Sequence, residues 1–171
     1  SVLQKHALAL SAGGEKSTYY ASLNILSDPG WQKGNTLTQY AGSLNANYNF
    51  SSKLSLNVIT DLSYQDQRST YTDLYSYALG YPRTLDPKEY YVERYTPFNI
   101  FNEIDNSYID KDIATVRLQG QLTWKISPKV EATAMGAIRY QSYKMVTDHT
   151  EYSNRAISYR YMPNSEIRNA N

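Results

Sequence analysis

Alternation with a period of two runs through most of this chain. From Tyr40 to Phe50 the even positions read Tyr40, Gly42, Leu44, Ala46, Tyr48 and Phe50, while Ala41, Ser43, Asn45, Asn47 and Asn49 lie between them. Successive side chains of a strand point to opposite faces, so the pattern predicts a strand with one apolar and one polar side. A short polar turn follows, and the alternation resumes. Leu54, Leu56, Val58, Thr60, Leu62 and Tyr64 oppose Ser55, Asn57, Ile59, Asp61 and Ser63. A third run sets Ala114, Val116, Leu118, Gly120, Leu122, Trp124 and Ile126 on one face; a fourth sets Val130, Ala132, Ala134, Gly136, Ile138 and Tyr140. Ser127-Pro128-Lys129 between them is turn chemistry, since Pro cannot donate to a ladder. A weaker pair upstream joins Leu8 and Leu10 to Tyr19, Ala21, Leu23 and Ile25 through Gly13-Gly14, read as a hairpin turn. None of these apolar-face positions is charged, whereas the intervening face carries Asp61, Arg117, Lys125, Glu131 and Arg139. Six strands are therefore expected, at about 4–12, 18–27, 38–50, 53–66, 112–126 and 129–146.

Strand length separates two kinds of sheet. Strands of soluble sheets run about five or six residues, whereas a tilted strand crossing a bilayer needs about nine to eleven. Tyr40 to Phe50 spans roughly 34 Å along the strand and about 25 Å of height once tilted, the apolar band of an outer-membrane barrel. Aromatics fall at the band edges: Tyr19, Tyr48, Phe50 and Trp124 at one rim, and Tyr40, Tyr64 and Tyr140 at the other, as an interfacial girdle would. The turns at the first rim are short, while the connections at the second, including about 67–111 and 147–171, are long. Short periplasmic turns and long extracellular loops are the habit of such barrels. The expected fold class is all-β, an antiparallel transmembrane β-barrel. Six strands are too few to close one, and an open edge is not tolerated in lipid, so the chain is expected to be a fragment of a larger barrel or to complete one with other chains.

Composition narrows the chemistry. The 171 residues carry 17 basic and 16 acidic side chains, which gives no electrostatic case for nucleic acid or anionic lipid. There is no Cys, and His6 and His149 lie far apart, so no thiolate or imidazole-rich metal site is expected. No apolar run is long enough for a membrane-crossing helix. Tyr, at 18 residues, is about three times its ordinary usage.

The stretch His6-Ala7-Leu8-Ala9-Leu10-Ser11-Ala12-Gly13-Gly14-Glu15-Lys16-Ser17-Thr18-Tyr19-Tyr20-Ala21-Ser22-Leu23 resembles the early barrel strands of the SusC/RagA family of TonB-dependent outer-membrane transporters. Its mark is a Ser-Gly-Gly-like turn with Glu-Lys, followed by the Tyr-Tyr-Ala-Ser-Leu strand; Ala12 departs from it, standing where a small polar residue or Gly is more usual. The strands at 40–48 and 113–125, the latter preceded by Phe101-Asn102-Glu103-Ile104, are similar to the family's next strands, and 69–100 is least alike. The resemblance implies about the first quarter of a plugged, 22-stranded barrel. It implies active import of glycan fragments or peptides, with a SusD-like surface lipoprotein as lid. The implied partners are the rest of the barrel and plug, TonB through the plug region, and the lipid bilayer of the bacterial outer membrane. Neither an enzymatic activity nor a cofactor is implied. The alternatives are a passive porin-type barrel, which an upstream plug would distinguish, and a soluble Tyr-rich glycan-binding β-sandwich, which would be extracted without detergent and close into two packed sheets.

The segment from Ser69 to Asp112 holds the candidate contact residues Tyr71, Tyr75, Tyr77, Tyr81, Tyr90, Tyr91 and Tyr95, with Phe98, Phe101 and Tyr108 among them. Such rings stack on sugars or anchor a partner, but a long ordered loop also needs a core of its own, and self-packing is the first expectation. Asp61, Arg117, Gln119, Gln121, Lys125, Glu131 and Arg139 are expected to face the lumen, with Arg117 or Lys125 pairing with Glu131 across strands. Glu103, Asp105, Asn106, Asp110 and Asp112 are rich in oxygen but lack the spacing of a calcium loop, so no metal ligand is assigned. Asp148-His149 has no recognisable nucleophile, and no catalytic residue is named.

Overall fold

In the computed structural model, which describes residues 2–93 and 96–161, six long strands form one antiparallel sheet. They are β1 (Gln4–Gly13), β2 (Ser17–Asp28), β3 (Thr36–Asn49), β4 (Leu54–Thr70), β7 (Ser107–Ser127) and β8 (Val130–His149), in the order β1-β2-β3-β4-β7-β8. The short strands β5 (Tyr91–Glu93) and β6 (Thr96–Phe98) pair separately. Helices α1 (Leu74–Gly80), α2 (Ile100–Asn106) and α3 (Asn154–Tyr161) complete the elements. The fold is all-β, and the sheet is not closed into a barrel; β1 and β8 are its edges.

The register turns the alternation into continuous faces. Leu8 lies opposite Leu23, which lies opposite Gly42, and Leu10, Ala21 and Leu44 make the next row. Ala9, Ser22 and Ser43 make a row of the other face, where the two Ser hydroxyls hydrogen-bond at 2.7 Å. A slip by one residue would exchange the faces, so the apolar pattern and the pairing specify the same register.

Three strands outrun their expected ends. β4 has 17 residues, β7 has 21 and β8 has 20. The ladder continues past the alternation: the Tyr71 amide still donates to the Ser107 carbonyl at 3.1 Å, and the Thr150 amide to the Asn106 carbonyl at 2.9 Å. Beyond Tyr64 the side chains of β4 change from apolar to charged, so hydrophobic period no longer marks the strand although backbone pairing persists.

The chain divides into two compact units. The first comprises Ser1–Asp28, Leu37–Asp66 and Asp112–Lys144; the second comprises Pro29–Thr36, Gln67–Lys111 and Met145–Asn171. Within the second, the segment expected as loop contains α1 and α2. Each begins on a side-chain cap: Asp73 accepts from the Tyr75 and Ser76 amides, and Asn99 accepts from the Asn102 amide. The hydrophobic core of the described residues lies here, in Phe98, Ile100 and Ile104, with Leu74, Tyr77, Tyr91 and Phe101 packed around it.

Gly34 permits a tight passage in this unit. Its φ is +90°, and a Cβ there would lie 2.6 Å from Thr70 Cγ2 and 2.8 Å from Ile104 Cγ2. Gly34→Ala combines a disfavoured left-handed backbone with an overlap against the core, so a loss of about 1–3 kcal/mol is expected. Faster amide exchange in α2, with the 40–50 strand unchanged, is the expected signature; unaltered exchange in α2 would contradict it.

Candidate functional site: an uncovered apolar face and an aromatic loop

In the first unit the apolar face is largely exposed among the described residues. None of the buried hydrophobic residues among those described belongs to the six-stranded sheet, whereas Leu10, Leu44, Leu118 and Ile138 are 65%, 45%, 46% and 72% exposed. Burial of apolar surface is the main favourable term in folding, so a sheet this apolar on one side and this exposed needs a nonaqueous neighbour or another protein surface. The face has distinct limits. At the short-turn end Tyr48 and Phe50 meet edge to face, centroids 4.9 Å apart, and Trp124 is exposed. At the other end Tyr40 and Tyr64 stack at 6.5 Å, and the Tyr64 hydroxyl donates to Asp112 Oδ1 at 3.1 Å. Charge thus reappears one step past the last aromatic, with Asp66 following Tyr64 on β4 and Asp112 preceding Ala114 on β7.

The opposite face is polar and internally bonded. Arg117 pairs with Asp61 of β4, its Nε donating at 2.8 Å. This corrects the expected pairing: among the described residues no ion pair joins Arg117 or Lys125 to Glu131. Arg117 Nε and Nη2 both donate to the same oxygen, Oδ2 of Asp61. Asn57 donates to Asn45 at 2.9 Å, Gln119 reaches Met135 Sδ at 3.3 Å, and Arg139 donates to Gln141 at 3.3 Å. Gln121 is half-buried, and Lys125 and Glu131 are exposed.

In the second unit the loop tyrosines divide into two sets. Tyr77, Tyr81 and Tyr91 cluster with Phe98, at centroid separations of 4.4 Å for Tyr77–Tyr81, 5.6 Å for Tyr81–Tyr91 and 5.5 Å for Tyr91–Phe98. Offset rings at these separations gain more than their burial alone. Tyr77 and Tyr91 bury hydroxyls that no aligned hydrogen bond satisfies. Burial first, and then the nearby Tyr81 and Tyr77 hydroxyls, push Tyr91 ionisation far above the ordinary phenol value. These three rings are half-buried, Tyr77 and Tyr91 packing against the core and Tyr81 against both of them. Tyr71, Tyr75 and Tyr90 are 47%, 59% and 61% exposed and remain candidates for contact, while Tyr95 lies outside the described residues.

The oxygen-rich cluster disperses into separate bonds. Asp105 pairs with Lys33 at 3.3 Å, and Asp110 takes a bidentate Arg68 at 2.8 and 3.0 Å beneath the Arg68–Tyr108 stack. Glu103, 4% exposed, accepts from the Ser107 hydroxyl at 2.6 Å and from the Asn154 amide at 2.7 Å. His149 Nδ1 lies 3.0 Å from Ser107 Oγ, and its ring meets Tyr71 edge to face at 4.7 Å. Because Ser107 gives its one proton to Glu103, its oxygen accepts from His149, which fixes the proton on Nδ1. Ser107 is fully buried, so it offers no accessible nucleophile. This bonded chain ties α2, β7, β8 and the start of α3 together; the sequence marked Glu103 and His149 but not their meeting through Ser107.

Asp73 is held below its ordinary carboxylate value, by the Ser76 hydroxyl first and then the Tyr75 amide. A depressed carboxylate stabilises above the unfolded value and loses that effect as pH falls through the folded one. The Ser76 and Tyr75 amide resonances should therefore titrate with a midpoint below 3.8. A midpoint at or above that value would remove the cap.

No protein-family model and no curated protein matches the chain.

Proposed function

We propose that this chain is a wall segment of a transmembrane β-barrel in the bacterial outer membrane, belonging to a TonB-dependent transporter of the SusC/RagA type. The observation that carries the reading is the uncharged, uncovered apolar face, limited by aromatics at both ends and followed by charge. Its ten-step length suits a tilted bilayer crossing. Two open edges cannot persist in hydrocarbon, so β1 and β8 pair with further strands of a larger barrel, of 22 strands in the family the turn resembles. The polar face then meets the lumen or plug, with Asp61–Arg117 as a lumen-side pair. The long connections face outward, where Tyr71, Tyr75 and Tyr90 are placed to contact ligand or a SusD-like lid. The cargo is glycan fragments or peptides, driven by TonB acting through the plug.

The resemblance rests on the quoted residues of the first three strands and of 101–104 and 113–125, and the transport step is tested in cells. Deleting the gene that carries this chain and deleting tonB are expected to abolish growth on the same glycan or peptide source. A growth defect that persists only with the first deletion, with uptake intact without TonB, would make the barrel a passive pore.

A further inference from the structure

Residues 150–157 lie along α2 and are tied to it by hydrogen bonds. The Thr150 amide donates to the Asn106 carbonyl at 2.9 Å, and the Thr150 hydroxyl to Asn106 Oδ1 at 2.6 Å. Asn102 Nδ2 donates to the Tyr152 carbonyl at 3.0 Å, and the Asn154 amide to Glu103 Oε2 at 2.7 Å. Asn102, Glu103 and Asn106 share one side of α2, while Ile100 and Ile104, 0% and 3% exposed, take the other and enter the core. Among the described residues, none of those in that core or packed against it belongs to 150–157. The helix thus meets the core through apolar side chains and this segment through a polar edge.

The segment ends on Tyr71. Ser153, fully buried, accepts from the Ala156 amide at 3.2 Å and caps the first turn of α3. From that turn Arg155 Nη1 donates to the Tyr71 hydroxyl at 3.1 Å, with the guanidinium 6.0 Å from the ring centre, and the His149 ring meets the same tyrosine at 4.7 Å. All of these residues belong to the second unit. Hydrogen bonds between two segments are remade with water when the segments part, so each adds little net stability, whereas moving α2 would expose its buried isoleucines. Parting of 150–157 from α2 is therefore the easier opening, and it carries Arg155 off Tyr71.

We propose that residues 150–157 are a releasable strap that keeps Tyr71 engaged by Arg155, so that this tyrosine meets an incoming molecule only when the strap leaves α2. The inference rests on the reading of Tyr71 as a contact residue and adds its regulation. Tyr75 and Tyr90 stand 59% and 61% exposed with the strap in place, and Tyr71 joins them on release. The molecule that replaces Arg155 must bring a hydrogen-bond donor for the hydroxyl oxygen and a surface for the ring.

The test uses the intact protein, with 3-fluorotyrosine at position 71 read by fluorine NMR beside amide hydrogen exchange. The Thr150 and Asn154 amides should exchange together, on the order of ten-fold or more faster than the Glu103 amide, whose acceptor is the Asn99 carbonyl at the start of α2. R155Q should shift the Tyr71 resonance without altering the three amides. N102A/N106A removes two side-chain bonds to the strap. It should speed Thr150 and Asn154 exchange on the order of ten-fold, since each such bond is worth several-fold, and move the Tyr71 resonance toward its R155Q position with the Glu103 amide unchanged. Exchange of strap and helix at one rate, a resonance unmoved by R155Q, or one unmoved by N102A/N106A would each overturn the strap. Growth of a Tyr71→Ala strain on the transported source, at equal protein level, reports the contact reading separately. Unaltered growth removes the role that the strap regulates and this inference with it, whereas impaired growth with an unmoved resonance removes the strap alone.

Discussion

Leu44→Arg is expected to destabilise the assembled barrel by about 2–4 kcal/mol, while Asn45→Arg costs much less. The two positions are neighbours on β3 and differ in face. Leu44 shares a row with Ala21 and Leu10, near the middle of the uncharged band and 45% exposed in the isolated sheet. With the proposed bilayer against this face, a guanidinium there would enter hydrocarbon far from either interface, too deep for its stem to carry the charge out to water. Asn45 sits beside Asn57 on the polar face, where an added charge meets water or polar groups. Reversible denaturant unfolding in lipid vesicles measures both; equal losses would remove the assignment of faces.

Glu103→Gln should be the most damaging conservative change in the second unit. The carboxylate accepts two hydrogen bonds, from Ser107 and Asn154, in a site where Ser107 is fully buried. An amide can accept only one of them. If its oxygen keeps the Asn154 amide, its nitrogen faces Ser107, and the hydroxyl proton loses its carboxylate acceptor, finding another only if His149 moves its own proton from Nδ1 to Nε2. An unsatisfied buried donor costs about 1–3 kcal/mol, and coupling through the network pushes the expected loss to the upper part of that range. Asp105→Asn is the control, because its pair with Lys33 is exposed and such pairs contribute about 0–1 kcal/mol. Hydrogen exchange at the Asn154 and Ser107 amides should accelerate for the first variant alone. Identical protection in the two variants would mean that Glu103 does not hold these elements together.

The residues show what a sequence discloses here. Period-two alternation shows at each position which side a residue takes, so the faces that carry Leu23 and Leu44 are legible in the sequence, whereas the rows they join come from the register. The partner of Arg117 could not, because Asp61 is 56 residues away and their meeting depends on the β4–β7 register. Helices α1 and α2 had legible signals in the caps Asp73 and Asn99, but each has only seven residues, too few for a helical period to stand out among tyrosines. Whether a loop tyrosine is core or surface is a packing outcome: Tyr77 and Tyr75 are two residues apart, yet Tyr77 joins the ring cluster and Tyr75 is 59% exposed. The Glu103–Ser107–His149 chain escaped for the same reason, since it joins segments that only the folded chain brings within hydrogen-bonding distance.

Spin labels placed singly from Tyr40 to Phe50, in protein reconstituted in vesicles, test the account most directly. Collision with dissolved oxygen, which concentrates in hydrocarbon, should rise at every even position and peak near Leu44. Collision with a water-soluble nickel chelate should be strongest at Ser43, Asn45 and Asn47. A profile without the two-residue period, or one in which Leu44 and Asn45 meet the nickel chelate equally, would contradict a bilayer against this face.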